Sequence, residues 1–224
     1  MANIPELVIF DCDGVLVDSE PIAAKVLAQY ISTHGRATTT DECLELFTGL
    51  SLSSVEKIIV SKWQIQLPDN FVEQLRALDR AAFEKELKAL PGVEHIIKLL
   101  KSHGIKVCVA SSGSIEKITH SLSITNLLEL FDGNIFSAAS VANGKPAPDL
   151  FLLSAGKMGV SAQNTTVIED SPAGITAGKN ALMQVFAFSG GGHTSAPNFM
   201  ARINAAGADK IFSSMNELPK LLDI

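Results

Sequence analysis

The fold of this chain is decided by the stretch Leu7-Val8-Ile9-Phe10-Asp11-Cys12-Asp13-Gly14-Val15-Leu16-Val17-Asp18-Ser19-Glu20. Its four leading apolar residues predict a fully buried strand. Two carboxylates, Asp11 and Asp13, follow at once and stand two positions apart. Crowded like charges at the end of a core strand destabilise a protein unless something neutralises them. We therefore expect a bound cation at this point and a reaction that needs carboxylates.

The length and charge of the chain exclude several classes of protein. Its 224 residues suffice for one sizeable core, or for one core with a small inserted domain. The net charge of -6 gives no basic patch, so we expect no nucleic-acid partner and no membrane partner. The sequence has neither a membrane-spanning apolar run nor a signal-peptide pattern. Its three cysteines form no CxxC pair, and Cys12 and Cys108 are expected to pack as small hydrophobic residues, which fits a reducing compartment. We therefore expect a cytoplasmic protein and a monomer.

The order of apolar patterns predicts an α/β fold with a helical insert. Between Pro21 and Leu87 the patterns are helical and no strand-like run occurs. After Leu90, short apolar strands alternate with helices, which is typical of a parallel sheet covered by helices on both faces. The predicted later strands are Lys106–Ala110, Thr166–Ile168, Gln184–Phe188 and Lys210–Phe212. We thus predict a Rossmann-like core formed by residues 1–15 and 89–224, and an all-helical domain formed by residues 16–88.

Several local features are also predicted from residue type. Thr40 and Asp69 are expected to cap helices, and later helices are expected over Ala196–Ala206 and Met215–Leu222. The segment Gly190–His193 is expected to form a flexible loop. The histidines have no metal-ligand spacing, so we expect them at the surface; they are His34, His95, His103, His120 and His193.

Polar side chains follow three of the predicted strands, where a doubly wound sheet binds its ligands. Because these strand ends meet at one edge of the sheet, acids, hydroxyls and a lysine should converge there. The residues are Asp11 and Asp13 after the first strand, Ser111 and Ser112 after the second, Lys145 in a Gly-Lys-Pro turn, and Glu169 and Asp170 after the third. Each also has a purely structural interpretation: the acids and serines as turn or helix-cap residues, and the lysine as a solvated surface residue.

Taken together and in this order, these motifs resemble those of the haloacid dehalogenase superfamily. The match consists of Asp11-Cys12-Asp13, then Ser111, Lys145 and the pair Glu169-Asp170, across nearly the whole chain. The helical insert is similar to the small type 1 cap of that superfamily. The details Asp18-Ser19-Glu20-Pro21 and Gly144-Lys145-Pro146 are similar to its β-phosphoglucomutase-like branch of sugar-phosphate phosphatases and mutases.

This resemblance implies a role for each motif. Asp11 is expected to attack phosphorus and form an aspartyl-phosphate, and Asp13 to act as general acid and base. Ser111, Ser112 and Lys145 are expected to bind the phosphate. A Mg²⁺ ion is expected on Asp11, the backbone carbonyl of Asp13, Asp170, and Glu169 either directly or through water.

The expected activity is hydrolysis of a small phosphorylated sugar or polyol. Asp13 argues against dehalogenase and phosphonatase members, which lack an aspartate there. A mutase is the alternative, but the β-phosphoglucomutase-type histidine and arginine are replaced by Ala23 and Leu52. A catalytically quiet binding protein of the same fold is a second alternative. In the helical insert, Glu20 and the loop residues Thr48, Gly49 and Leu50 are expected to meet the substrate, the loop acting as a lid.

Overall fold

A parallel sheet forms the centre of the computed structural model, which describes residues 4–196 and 198–224. In the described residues the sheet has six strands in the order β3-β2-β1-β4-β5-β6, and every neighbouring pair is parallel. The strands are β1 (Leu7–Phe10), β2 (Lys106–Ser111), β3 (Ile135–Ser137), β4 (Thr165–Glu169), β5 (Gln184–Phe188) and β6 (Lys210–Phe212). The predicted α/β class is confirmed, whereas β3 was missed because it is short and only half apolar.

Strand β1 lies at the point where the strand order reverses. Leu7 is in register with Lys106 of β2 on one side and with Thr165 of β4 on the other. The chain adds β2 and β3 on one side of β1, then crosses over to add β4, β5 and β6 on the other side. Connections that diverge from a central strand leave a crevice at its carboxyl end. Asp11 follows β1 directly and therefore stands at this crevice.

Five helices lie between β1 and β2, and the first four form the helical insert that the sequence predicts. These four are α1 (Glu20–Thr33), α2 (Thr40–Phe47), α3 (Leu52–Trp63) and α4 (Phe71–Glu86). They bury a hydrophobic cluster of their own, which includes Ile31, Ile59 and Phe71. The chain enters and leaves this helical block side by side, since the Asp18 N–H donates to the Lys88 carbonyl at 3.1 Å. The block is thus joined to the sheet by two adjacent connections.

The remaining helices cover both faces of the sheet. They are α5 (Val93–Ser102), α6 (Ile115–Ile124), α7 (Asp149–Met158), α8 (Pro172–Asn180), α9 (Phe199–Ala206) and α10 (Leu218–Leu221). Alternate residues of β1 enter different cores: Val8 and Phe10 join one cluster, Leu7 and Ile9 the other. Burial on both faces explains why β1 reads as a continuous apolar run.

Several local predictions need correction. Thr39, not Thr40, caps α2, its side chain accepting from the Glu42 N–H, and Asn70 rather than Asp69 precedes α4. Residues Gly192–Ser195 form a short 3-10 helix, so that α9 begins only at Phe199. A similar 3-10 turn over Met215–Glu217 precedes α10. In each case the helix ends at a different residue from the one expected from residue type, because the hydrogen bonds of the folded chain decide the exact end.

Two further expectations have clear outcomes. Cys12 and Cys108 are buried free thiols, as predicted, and Cys43 is a buried free thiol as well. His193 is completely buried, so its predicted surface position is wrong. Among the described residues, no helix has both the length and the apolar character needed to cross a membrane.

Helix α8 approaches the sheet closely because Gly178 faces β5. A Cβ atom on Gly178 would lie 2.6 Å from the Val185 Cγ2 atom, which is closer than packed carbon atoms come. A Cβ atom on Gly156 in α7 would have no neighbouring atom within 4 Å. Glycine normally weakens a helix, so its presence at residue 178 reflects packing rather than helix propensity.

We expect Gly178→Ala to lower the free energy of unfolding by about 1–3 kcal/mol, because the added methyl overpacks the interface with β5. Gly156→Ala is the matched control and should raise it by about 0.5–1 kcal/mol, since alanine is the better helix former and meets nothing. Urea unfolding of both variants measures these changes. Equal stabilisation of the two would contradict the packing explanation.

Candidate active site

Three buried carboxyl groups meet at the carboxyl end of β1 and β4. Asp11 follows β1 and its N–H donates to the Ile168 carbonyl at 2.9 Å, which fixes its backbone against β4. Glu169 ends β4, and Asp170 comes next. Each of the three offers an oxygen within 4.8 Å of those of the other two. The parallel register of β1 and β4 therefore brings together acids that lie far apart in the sequence.

Lys145 reaches into this group from the loop before α7. Its Nζ donates to Asp11 Oδ1 at 2.5 Å, to Glu169 Oε1 at 2.7 Å and to the Ala110 carbonyl at 3.0 Å. Its side chain is only 4% exposed. Burial alone lowers the pKa of Lys145, but the carboxylates of Asp11 and Glu169 outweigh it and hold the pKa above its ordinary value. Lys145 is thus a fixed, buried cation.

Glu169 is anchored by the start of α8. Its Oε2 accepts hydrogen bonds from the Asp170 N–H at 2.9 Å, the Ser171 N–H at 2.8 Å and the Ser171 hydroxyl at 2.9 Å. A Cβ on Gly174 would overlap the Glu169 carboxyl group, so the absence of a side chain at residue 174 makes room for it. Glu169 already has these partners as well as Lys145. The carboxyl groups of Asp11 and Asp170 are therefore more open to a cation.

The three acids fit a divalent metal ion. Burial raises the pKa of Asp11 well above its ordinary value, and Glu169 and Asp170 raise it further, while Lys145 opposes them. The pKa of Asp170 is raised in the same way, first by burial and then by Glu169. One lysine therefore does not neutralise the group, and buried carboxylate oxygens are the ligands that Mg²⁺ prefers. The Asp13 carboxyl group lies outside this set.

Asp13 is held by two donors. The Ser19 hydroxyl donates to its Oδ1 at 2.6 Å, and Lys117 Nζ donates to its Oδ2 at 2.8 Å. Burial alone raises the pKa of Asp13, but the charge and hydrogen bond of Lys117, with Ser19, bring it below the ordinary value. Sequence reasoning missed Lys117. Its position in the first turn of α6, directly after the Ser111 strand end, is the signal that could have found it.

A second missed residue, Asp79, faces the same region from α4. Its Oδ1 is buried without a hydrogen-bond partner among the described residues. Phe83 follows one helical turn later and lies beneath Lys117, whose Nζ is 5.8 Å from its ring centre. Burial raises the pKa of Asp79 to about 7, opposed by Lys117 and reinforced by Asp13. The α4 face that carries Asp79 therefore meets the Asp13–Lys117 pair.

Glu20 is the predicted insert residue that the structure brings to the acids. Its pKa is raised to about 7, first by burial and then by the charges of Asp13 and Asp170, while Lys117 opposes the rise. By contrast, the predicted lid does not touch the acids. The Thr48 hydroxyl donates to the Leu44 carbonyl at 2.7 Å, Gly49 faces open space and Leu50 is 43% exposed. Contact of Thr48, Gly49 and Leu50 with a substrate stays a prediction.

The two predicted phosphate-binding serines differ in burial. Ser111 is buried at the end of β2, and its Oγ accepts from the Gly113 N–H at 3.3 Å. Ser112 is exposed. Helix α6 is capped by Ser114, whose Oγ accepts from the Lys117 N–H at 3.2 Å. Ser112 is thus not required as a helix cap.

Comparisons with known proteins agree with this geometry. The family model "Haloacid dehalogenase-like hydrolase" matches residues 8–188. The chain is 30% identical over 217 residues to a 6-phosphogluconate phosphatase of Escherichia coli, covering 96% of this chain and 94% of the relative. It is 29% identical over 215 residues to hexitol phosphatase A of Escherichia coli, covering 94% and 91%.

Solved structures give the same assignment. A conserved haloacid dehalogenase-like protein of unknown function from Agrobacterium tumefaciens superimposes with a TM-score of 0.88 at 33% identity, covering 97% of each chain. A HAD family hydrolase from Deinococcus radiodurans, solved with bound phosphate and sodium, gives a TM-score of 0.83 at 27% identity, covering 99% of this chain and 96% of that one. The resemblance inferred from the motifs is confirmed, and the chain belongs to the haloacid dehalogenase-like hydrolase family.

Proposed function

We propose that this protein is a Mg²⁺-dependent phosphatase that hydrolyses a small phosphorylated sugar or polyol through an aspartyl-phosphate. The observation that carries the proposal is the buried Asp11 carboxyl group, paired with Lys145 and beside Asp170 at the end of the central strand. Relatives of similar length are phosphatases by name, including one for phosphorylated carbohydrates from Thermotoga maritima.

Two displacements at phosphorus make up the proposed reaction. In the first, an Asp11 oxygen bonds to phosphorus as the ester P–O bond breaks, and Asp13 gives its proton to the departing oxygen. In the second, Asp13 takes a proton from water, whose oxygen bonds to phosphorus as the bond to Asp11 breaks. Lys145 and Ser111, with the exposed Ser112, bind the phosphoryl oxygens.

The metal has a defined place in this proposal. Asp11, Asp170 and the Asp13 carbonyl would hold Mg²⁺, with Glu169 acting through water because Lys145 and Ser171 already occupy its oxygens. When bound, the ion supplies charge neutralisation and a Lewis acid at the phosphoryl group. The positive charge of Lys145 offsets the repulsion between the Asp11 carboxylate and the incoming phosphate.

Asp13 must gain a proton before it can act as the general acid. An acid has to carry a proton, yet Lys117 and Ser19 favour the ionised carboxylate. The phosphoryl group of the substrate adds negative charge beside Asp13 and raises its pKa, so Asp13 takes up a proton when the substrate enters while Lys117 stays next to it. The general acid is thus switched on by the substrate rather than left protonated in the empty site.

We also propose that residues 16–88 act as a cap over a core formed by residues 1–15 and 89–224. Helices α1 to α4 have a hydrophobic cluster of their own, and the two adjacent connections at Asp18 and Lys88 suit a hinge. Glu20 and Asp79 lie on the side of the block that faces Asp13. The cap would therefore contact the leaving group rather than the phosphate.

Hydrolysis is favoured over the mutase alternative by two positions in the helical block. Ala23 packs against the core cluster that covers one face of the sheet, and Leu52 packs against the helical cluster. Neither carries a polar group that would hold a second phosphate. A mutase must also protect its phosphoenzyme from water, and neither Ala23 nor Leu52 would exclude water from Asp11.

The leaving-group side of the site favours a neutral polyol. Its charged groups are the carboxyls of Asp13, Glu20 and Asp79 and the ammonium of Lys117, which already pairs with Asp13. Carboxyl groups accept hydrogen bonds from hydroxyls but repel a substrate carboxylate. We therefore expect glucitol 6-phosphate to be a better substrate than 6-phosphogluconate, which differs from it by a carboxylate at C1.

We expect Asp11→Asn to abolish the Mg²⁺-dependent hydrolysis of an aryl phosphate, because an amide cannot act as the nucleophile. Release of inorganic phosphate measures the loss. Asp41→Asn on exposed α2 is the control and should keep full activity. Unchanged turnover by Asp11→Asn would remove Asp11 as nucleophile, and an inactive wild-type protein would favour the binding-protein alternative.

Asp13→Asn should slow both displacements by about 10²- to 10⁴-fold, the usual contribution of a general acid or base. Mg²⁺ affinity should stay close to that of the wild type, since Asp13 is proposed to bind through its backbone carbonyl. Calorimetric titration with Mg²⁺ and single-turnover kinetics test the two halves of this prediction. Loss of metal affinity would show that the Asp13 side chain is a ligand.

At a pH above the Asp79 pKa of about 7, where this carboxyl group is ionised, Asp79→Asn should shift the preference toward 6-phosphogluconate by about tenfold, equivalent to about 1.4 kcal/mol, because it removes one carboxylate that repels the substrate acid. The ratio of kcat/KM for 6-phosphogluconate and glucitol 6-phosphate measures this. Glu73→Gln, an exposed position on the same helix, is the matched control and should leave the ratio unchanged. A shift of the same size in both variants would place the selection elsewhere.

A further inference from the structure

The segment of residues 190–196 connects the sheet, the acids and the helical block. It follows β5, and a Cβ on Gly191 would lie 3.0 Å from the Gly14 carbonyl, beside the Asp11–Asp13 turn. The Gly192 N–H donates to Asp18 Oδ1 at 2.9 Å, next to the start of α1. Ala196 packs against the hydrophobic cluster of the helical block. The glycine run is therefore a closely packed segment and not the flexible loop predicted from residue type.

His193 lies at the centre of this segment and is 0% exposed. Its Nε2 is 3.0 Å from Asp170 Oδ2. Neither ring nitrogen has a correctly aligned hydrogen bond among the described residues. A wholly buried, unsatisfied imidazole is costly and calls for an explanation in the function of the site.

Two glycines make room for the imidazole ring. A Cβ on Gly14 would lie 2.8 Å from His193 Cε1 and would overlap Asp170 Oδ2. A Cβ on Gly191 would lie equally close to the ring. Phe199 closes the remaining side, edge to face, with ring centres 5.1 Å apart. The ring is thus held at a fixed distance from Asp170 by packing on several sides.

Asp170 differs from the other two acids in its partners. Lys145 donates to Asp11 and Glu169, and no hydrogen bond among the described residues joins it to Asp170. Besides its own backbone N–H, the neighbouring donor of Asp170 among the described contacts is His193 Nε2. A carboxylate that binds a metal through one oxygen is usually held by a hydrogen bond to the other, which sets its orientation.

We propose that His193 is a positioning residue for Asp170. Its Nε2–H would hold Oδ2 and leave the other carboxylate oxygen for a cation. The Gly192–Asp18 hydrogen bond links His193 to the connection between the sheet and the helical block. A small rotation of the Asp170 carboxyl group on metal binding would align it with the His193 N–H. The inference rests on the proposed metal site but not on the identity of the substrate.

The test compares Mg²⁺ binding by wild-type protein, His193→Phe and His193→Gln, measured by calorimetric titration after chelator treatment. Phe keeps the ring and its packing but removes both nitrogens, and should raise the Kd for Mg²⁺ by about 10- to 100-fold. Gln places an N–H donor near the position of Nε2 and should restore most of the affinity. His95→Phe, at an exposed position on α5, is the control and should bind as the wild type does.

Kinetics provide the second measurement. At saturating Mg²⁺ the His193→Phe variant should keep the KM of the wild type for glucitol 6-phosphate, because His193 acts on the metal ligand and not on the leaving group. If Phe destabilises the fold, His193→Asn, whose amide is too short to reach Asp170, should show the same weakened Mg²⁺ binding.

Wild-type Kd in the Phe or Asn variant, or failure of Gln to improve on Phe, would overturn the proposal. Failure of the proposed function looks different: the wild type itself would then show no Mg²⁺-dependent hydrolysis. Binding of Mg²⁺ by the wild type with no effect of His193→Phe would sink only the role of His193.

Discussion

The buried ammonium group of Lys145 is the interaction on which the site depends. Without it, Asp11, Glu169 and Asp170 would crowd negative charge into the end of the sheet with no compensating partner. Lys145 donates to two of the three acids and to the carbonyl of Ala110, so it also joins β1, β2 and β4 at their carboxyl ends. The pKa values of Asp11 and Asp170 stay raised by burial even so. The site therefore remains short of positive charge, which is the physical condition for a metal ion.

The site has two sides with different chemistry. Around Asp11 the groups are a fixed lysine, buried acids and the ends of three parallel strands, which suits a phosphate and a cation. Around Asp13 the groups come from the helical block and α6, and they are carboxyls with a single lysine already paired. The first side is common to the family's motifs, whereas the second depends on this chain's own residues. We therefore expect the second side to select between substrates.

Much of the architecture could be predicted because local patterns encode it. The apolar runs at β1, β2, β4 and β5 and the alternation with helices gave the parallel sheet, and the rule for strand ends placed the acids and Lys145 at one edge. Helix ends were less predictable. Thr39 caps α2 although Thr40 is an equally good cap residue by type, since only the backbone geometry decides which hydroxyl meets the Glu42 N–H. Strand β3 was not predicted because its three residues are too few to show an alternation of apolar residues.

By itself the sequence determined the fold class, the helical insert and the residues at the strand ends, because parallel strands bring their carboxyl ends together whatever else the chain does. The tertiary structure alone decided the parts played by Lys117, Asp79 and His193. Lys117 meets Asp13 across 104 positions of sequence, and Asp79 reaches the pair from another helix. His193 was expected at the surface, yet the space left by Gly14 and Gly191 buries it against Asp170. The spacing of apolar residues indicates which face of a helix or strand is buried. A contact between distant elements depends instead on how their surfaces pack.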